Sequence, residues 1–184
     1  MHARGFPPIA SRESRVLVLG SMPGLASLAA QQYYAHPRNA FWTIMGELFG
    51  AVPQLPYPLR VTRLLDAGVA VWDVLGACVR PGSLDSDIRS EGLVVNDLGN
   101  FLDGHPHIER VYFNGAKAAQ LFESLALPQL PVGLQLKRLP STSPANAGMR
   151  LEQKIQAWSC ITGAELTGAS SAAKNSVAIN CRRP

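Results

Sequence analysis

Val16-Leu17-Val18-Leu19, closed by Gly20-Ser21-Met22-Pro23-Gly24, decides the fold. An uninterrupted apolar run of this length reads as a strand buried on both faces, and the turn residues that follow stop it. The pattern recurs downstream. Val69-Ala70-Val71-Trp72 runs into Asp73, Arg110-Val111-Tyr112-Phe113 into Asn114-Gly115, and a weaker stretch from Leu134 to Leu139 into Pro140-Ser141. Helical patterns lie between them. Asn39 to Phe49 carries Phe41, Trp42, Ile44, Met45, Leu48 and Phe49 at helical spacing with Gly50 as a stop. Tyr57 to Leu65, Val94 to Leu102, Ala116 to Leu125 and Arg150 to Ile161 are further helix candidates. Strands alternating with helices imply parallel crossover units. The predicted architecture is therefore a three-layer α/β/α sandwich around a central, mainly parallel four-stranded sheet.

The chain of 184 residues suits one domain, and 47% hydrophobic against 16% charged residues supplies a core of ordinary size. Residues 1–15 read as an N-terminal extension, 16–161 as the α/β domain, and 162–184, rich in glycine, alanine and serine, as a low-complexity tail. Lysine plus arginine number 17 against 13 acidic residues, a net charge of +4, which suits an anionic partner without requiring one. The positive charge is mostly arginine, whose forked guanidinium matches phosphate.

Several classes are disfavoured. The three cysteines, Cys78, Cys160 and Cys181, are too few and too far apart for a zinc cage, an iron–sulfur cluster or a disulfide framework. The first fifteen residues lack the apolar stretch of a secretory signal, and no run approaches the ~18 apolar residues of a membrane span. A cytoplasmic protein with reduced thiols is expected, nucleoid-associated in a bacterium, with no membrane partner. Gly20-Ser21-Met22-Pro23-Gly24 is neither a dinucleotide fingerprint nor a phosphate loop, so a nucleotide cofactor is not expected.

In an open parallel sheet, ligands lie beyond the carboxyl ends of the strands. The small and polar residues cluster there: Gly20 to Gly24, Asp73, Asn114-Gly115, and Ser141-Thr142-Ser143-Pro144-Ala145-Asn146. Each alone is ordinary turn chemistry. Together they favour a pocket. The stretch Gln31-Gln32-Tyr33-Tyr34-Ala35-His36-Pro37-Arg38-Asn39-Ala40-Phe41-Trp42 is more particular, because it crowds aromatic, amide and imidazole groups into a loop before a helix. Phe41 and Trp42 read as core residues. Tyr33 or Tyr34 can offer a ring to a planar ligand such as a base. Asn39 is both a candidate N-cap and a candidate catalytic amide, and His36 either braces the loop or donates to a ligand. Asp73 bonds loop backbone or positions Arg80.

In this order and spacing, Gly20-Ser21-Met22-Pro23-Gly24, Tyr34-Ala35-His36-Pro37-Arg38-Asn39-Ala40-Phe41-Trp42, Asn114-Gly115 and Ser141-Thr142-Ser143-Pro144-Ala145-Asn146 resemble the uracil-DNA glycosylase superfamily. Within it the sequence is most similar to the hypoxanthine-DNA (DNA-deoxyinosine) glycosylase branch, with the mismatch-specific uracil-DNA glycosylases as near relatives. The resemblance spans about Val16 to Trp158.

It implies a monofunctional, cofactor-free and metal-free base-excision repair enzyme, monomeric, acting on double- or single-stranded DNA that contains deaminated bases, chiefly hypoxanthine. Such enzymes flip the nucleotide into a pocket and cleave its N-glycosidic bond with water. Asn39 matches the catalytic asparagine of the hypoxanthine branch. Gly20, Ser21, Met22, Tyr34, His36 and Asn114 match base-binding positions, with Tyr34 where relatives stack an aromatic ring on the base. Residues 141 to 146 match the loop that grips the DNA backbone, helped by Arg38 or Arg150.

The departures matter too. Many superfamily members place an Asp or Asn where this chain has Met22, and uracil-excising relatives often carry a histidine and a leucine wedge where it has Ser141 and Ala145. Met149 and Arg150 are the candidates for filling the gap left by a flipped base. Open alternatives are a uracil- or xanthine-directed enzyme of the same superfamily, a catalytically silent DNA-binding domain, and a hydrolase of free nucleosides. Lys117 is read as a surface or phosphate-facing residue, and no lysine pattern suggests a coupled lyase step.

Overall fold

The structure, a computed structural model, describes residues 2–79, 88, 92–126 and 133–163. Arg80, Cys181 and residues 164–184 of the expected tail lie outside the described residues.

The expected sheet is present, and all of it is parallel. Strands β2 (Val16–Gly20), β3 (Val69–Asp73), β6 (Arg110–Asn114) and β7 (Gln135–Leu139) stand in the order β3-β2-β6-β7. Val18 faces Val71 on one side and Tyr112 on the other, and Tyr112 faces Lys137, so the four strands end at a common level. Strands β2 and β3 are buried at every position, as continuous apolar runs require. Strand β7 is exposed from Gln135 to Arg138. It is an edge strand, and Lys137 and Arg138 guard that edge against pairing with another chain.

Helices α1 (Leu25–Ala30), α2 (Phe41–Phe49) and α3 (Tyr57–Asp66) connect β2 to β3. Helix α4 (Leu98–Asp103) precedes β6, α5 (Ala116–Leu125) links β6 to β7, and α6 (Leu151–Trp158) follows β7 and ends in a 3₁₀ turn at Ser159–Thr162. The chain first steps from β2 to β3 and then back past β2 to β6 and β7. Right-handed crossovers in opposite directions place their helices on opposite faces, which makes the three layers. Helix α6 returns to pack on α2, where Trp158 meets Phe41 edge-on at 6.1 Å.

Three features differ from the sequence reading. Residues 2–14, expected as an extension, are built into the domain. Strand β1 (His2–Arg4) pairs antiparallel with β4 (Leu75–Val79), and Ile9 exchanges two backbone hydrogen bonds with Val71, of 2.9 and 2.8 Å, which covers the open edge of β3. Second, β4 and β5 (Val94–Val95) complete a small antiparallel sheet in the order β1-β4-β5. Third, the helix expected from Val94 begins at Leu98. The Val94-Val95 pair is taken by β4, and Asp97 caps α4 by accepting the Asn100 N–H at 3.0 Å. No described helix is long and apolar enough to cross a membrane.

Candidate active site

The site is built at the carboxyl ends of the four parallel strands, where the direction of the crossovers switches between β2 and β6. At the end of β2, Gly20 lies beside Asp73 at the end of β3. A Cβ on Gly20 would collide with the Asp73 carboxylate and come within 3.3 Å of the Tyr34 hydroxyl, so glycine is required by close approach. The carbonyls of Gly20 and Ser21 accept hydrogen bonds from Val74 and Leu75 at 2.9 and 3.0 Å, which ties the first loop to the β3–β4 hinge. Ser21 and Asp73 are buried polar residues, while Met22 is buried in the apolar core. Met22 thus contributes packing, as its thioether suggests.

The aromatic loop divides its labour. Tyr33 is buried, and its hydroxyl donates to the Pro7 carbonyl at 3.2 Å. Burial and the nearby Asp73 carboxylate push the Tyr33 hydroxyl pKa far above the usual tyrosine value. Of the two tyrosines, Tyr34 is the one whose side chain is only half-buried, and its ring stacks on Phe41 at a centroid distance of 3.9 Å and 22° between planes. Phe41 and Trp42 are core residues, as expected.

His36 braces the turn: its Nδ1 accepts the Arg38 N–H at 3.1 Å, and its carbonyl accepts the Asn39 N–H at 2.8 Å. That geometry assigns the proton of a neutral ring to Nε2. Asn39 stands half-buried before α2, and its Oδ1 accepts the Phe41 N–H at 3.0 Å. The N-cap of α2 is Ala40, which has no side-chain cap, so Asn39 is not the cap that the sequence offered; it stands one residue earlier and closes a side-chain turn onto the Phe41 N–H. The bond also fixes the rotamer while leaving the second Oδ1 lone pair and the side-chain NH₂ for other partners.

Asn114 is engaged on both sides of its amide. Its Nδ2 donates to Thr142 Oγ1 and its Oδ1 accepts the Thr142 N–H, each at 2.8 Å, with Asn114 and Thr142 both buried. Thr142 in turn accepts the Ala40 N–H at 2.9 Å, which joins the last loop to the residue after Asn39. Gly115 has φ +99°, and a Cβ there would press on Ser141 Cβ at 2.8 Å. The structure thus joins Asn114, Thr142 and Ala40 by hydrogen bonds, with Asn39 one residue before Ala40 and bonded separately to the Phe41 N–H.

Beyond Thr142 the loop turns on its own side chains. Ser141 Oγ accepts the Ser143 N–H at 3.2 Å, Ser143 Oγ accepts the Ala145 N–H at 3.3 Å, and Asn146 Nδ2 donates to the Ser141 carbonyl at 3.0 Å. Pro144 is half-buried and Ala145 exposed at the tip. Two residues that the sequence reading passed over pin this loop from below. Lys154 Nζ donates to the Asn146 carbonyl and Trp158 Nε1 to the Pro140 carbonyl, each at 2.9 Å. Lys154 is only 5% exposed, and burial lowers its pKa from the usual lysine value. Its position four residues before the buried Trp158 was the available signal, because a lysine on the apolar face of a helix must find an acceptor. Arg38, Met149 and Arg150 are exposed. Among the described residues, no three His, Cys, Asp or Glu side chains form a group that could hold a metal ion.

The comparisons with known proteins agree with this fold. Residues 7–161 match the family model described as the uracil DNA glycosylase superfamily. The chain is 33% identical over 159 residues to a protein of Methanosarcina barkeri named hypoxanthine DNA glycosylase, covering 86% of this chain and 96% of that protein. It is 35% identical over 147 residues to a Methanosarcina acetivorans protein of the same name, covering 79% and 89%. The solution NMR structure of a Methanosarcina acetivorans protein described as a candidate uracil DNA glycosylase superposes with a TM-score of 0.74 at 32% identity, covering 88% of this chain and 97% of that one. With its parallel sheet, its site at the strand ends and a family match running from the strap over β3 to the last turn of the fold, the chain belongs to the uracil DNA glycosylase superfamily.

Proposed function

We propose that this chain is a monofunctional DNA glycosylase that hydrolyses the N-glycosidic bond of deaminated bases, chiefly hypoxanthine. The observation that carries the reading is the placement of Asn39: its amide is held by the Phe41 N–H at 3.0 Å, and the next residue is tied to Thr142 and so to Asn114. A base stacked in a duplex is out of reach of such a site, so the nucleotide rotates out, at a cost of a few kcal/mol that is least for mispaired bases. The Tyr34 ring, backed by Phe41, offers the flipped base a stacking surface. Asn114 retains one amide proton and one lone pair beyond its bonds to Thr142, and these suit the polar edge of hypoxanthine.

Bond cleavage builds positive charge on the sugar and negative charge on the departing base. An amide cannot deprotonate water. The second lone pair of Asn39 Oδ1 instead accepts a hydrogen bond from water and aims the water oxygen at the anomeric carbon as the oxocarbenium-like state forms, with DNA phosphates favouring the cation; as the C–O bond replaces the C–N bond, the proton that the water loses ends on the departing base anion. Ser143 and the backbone of residues 141–145 grip phosphates, assisted by Arg38 or Arg150, and His36 Nε2–H can donate to base or phosphate. Met149, 37% exposed beside this loop, fills the space that the base vacates.

Identical duplexes carrying inosine, uracil or xanthine, incubated with the protein and then treated with alkali, test the reading. Strand scission should be fastest with inosine, and Asn39→Ala should slow it by about 100-fold or more, the scale set by losing a placed reactant. DNA binding without base release in the unmodified protein would instead assign a silent DNA-binding domain.

A further inference from the structure

Among the described non-glycine residues, positive φ occurs at Gln31 (52°) and Tyr34 (55°). Gln31 ends α1, a usual place for a left-handed residue. Tyr34 has no helix end to explain it. A side chain with a Cβ is disfavoured in this region and stays there when its surroundings over-determine it.

The surroundings do so from three helices. On the N-terminal side both main-chain groups of Tyr33 are captured by side chains: Tyr57 Oη, at the start of α3, accepts the Tyr33 N–H at 3.0 Å, and Trp42 Nε1 on α2 donates to the Tyr33 carbonyl at 2.9 Å. On the C-terminal side, Ser27 Oγ on α1 accepts the Ala35 N–H at 3.1 Å. Tyr57 and Trp42 pack edge-on at 5.7 Å and 87°, and the Arg60 guanidinium lies over both rings, 4.6 Å from Trp42 and 5.3 Å from Tyr57.

We infer that Tyr57 is a positioning residue for the reaction: by accepting the Tyr33 N–H it holds the left-handed turn at Tyr34 and so sets the ring on which the extruded base stacks. The inference rests on the stacking role of Tyr34 proposed above. Tyr57 touches neither base nor sugar; its effect passes through Tyr33 to Tyr34.

Tyr57→Phe deletes the acceptor and keeps the ring under Arg60. In that variant, amide hydrogen exchange at Tyr33 to Ala35 should quicken by about 3- to 10-fold, the scale of one hydrogen bond, with β2 and β6 unchanged. Single-turnover release of hypoxanthine from a saturating duplex should fall by a similar factor while affinity for undamaged duplex stays constant. In a Tyr34→Ala background the same change should have no further effect on release. Unchanged exchange at Tyr33 to Ala35, or a loss of release that persists undiminished over Tyr34→Ala, overturns the inference. If the unmodified protein releases no base from any duplex, the glycosylase reading fails, and the exchange measurement still decides whether Tyr57 holds the turn.

Discussion

The two walls of the candidate site are held in different ways. The wall from Tyr33 to Asn39 takes the shape of its first half from other elements: Tyr57 is 24 residues from Tyr33, and the main chain around Tyr34 is fixed by side chains of α1, α2 and α3, while His36 and Asn39 brace its second half through contacts two residues away. The wall from Ser141 to Asn146 is anchored at its inner end by Asn114, 28 residues before Thr142, but turns outward on contacts of two to five residues between its own side chains and backbone. Each wall is buried at one residue, Tyr33 or Thr142, and each reaches solvent, the first at Pro37 and Arg38 and the second at Ala145. The difference suits the two tasks proposed above. A surface that orders a base and a water must not move, whereas a surface that meets a DNA backbone gains from exposed donors that can adjust.

The largest effect should come from cutting the second wall at its anchor. Asn114→Ala leaves the buried Thr142 N–H and hydroxyl without their partners. At roughly 1–3 kcal/mol for each unsatisfied group, the variant should lose about 2–6 kcal/mol in a urea titration. A smaller loss would mean that the loop rearranges to satisfy itself.

The Lys154 strut should give a smaller, pH-dependent signal. Burial lowers its folded pKa below the value of 10.5 expected for the unfolded chain, so between the two the unfolded state binds more protons. Lys154 therefore makes stability rise with pH in that window, because the penalty of burying the charge is relieved as the amine deprotonates. Replacing it as Lys154→Met should flatten this rise, visible when urea midpoints of the two proteins are compared from pH 7 towards 10.5. Parallel curves would show that the amine is solvated in solution.

The smallest effect tests the outer faces. Arg38→Ala, at an exposed position of the first wall, should weaken binding to all duplexes alike and reduce the slope of log K against log salt by about 0.9 if one phosphate contact is lost. A change in lesion preference would show instead that Arg38 reads the base.

Much of this was legible in the chain itself. Val16 to Leu19, Val69 to Trp72 and Arg110 to Phe113 announce buried parallel strands because a strand covered on both faces has no polar side to show. Phe41 and Trp42 announce core by helical spacing, and Asn39 reads as an N-cap although the cap position falls one residue later, at Ala40. The antiparallel sheet escaped notice because β1 is three residues long and finds its partner at Ala77 to Val79. Val94 and Val95 look alike in a helix or a strand until β4 offers its edge, since a pair of residues is too short to display a period.

The side chains that set the site were harder to see. Asn114 reads as a turn residue or a base reader, and only its distance to Thr142 shows that the loop takes both sides of its amide. Tyr57 has no mark in the sequence beyond an aromatic ring before a proline, and its tie to Tyr33 exists because α3 packs beside α2. Periodicity and composition fixed the four parallel strands, the layers and the end of the sheet where the candidate site lies, because burial of apolar area is a summed, local property of the residues. Which polar atoms face one another there was decided by the packing of helices, strand ends and loops, because a hydrogen bond depends on tenths of an ångström between groups that the chain order leaves far apart.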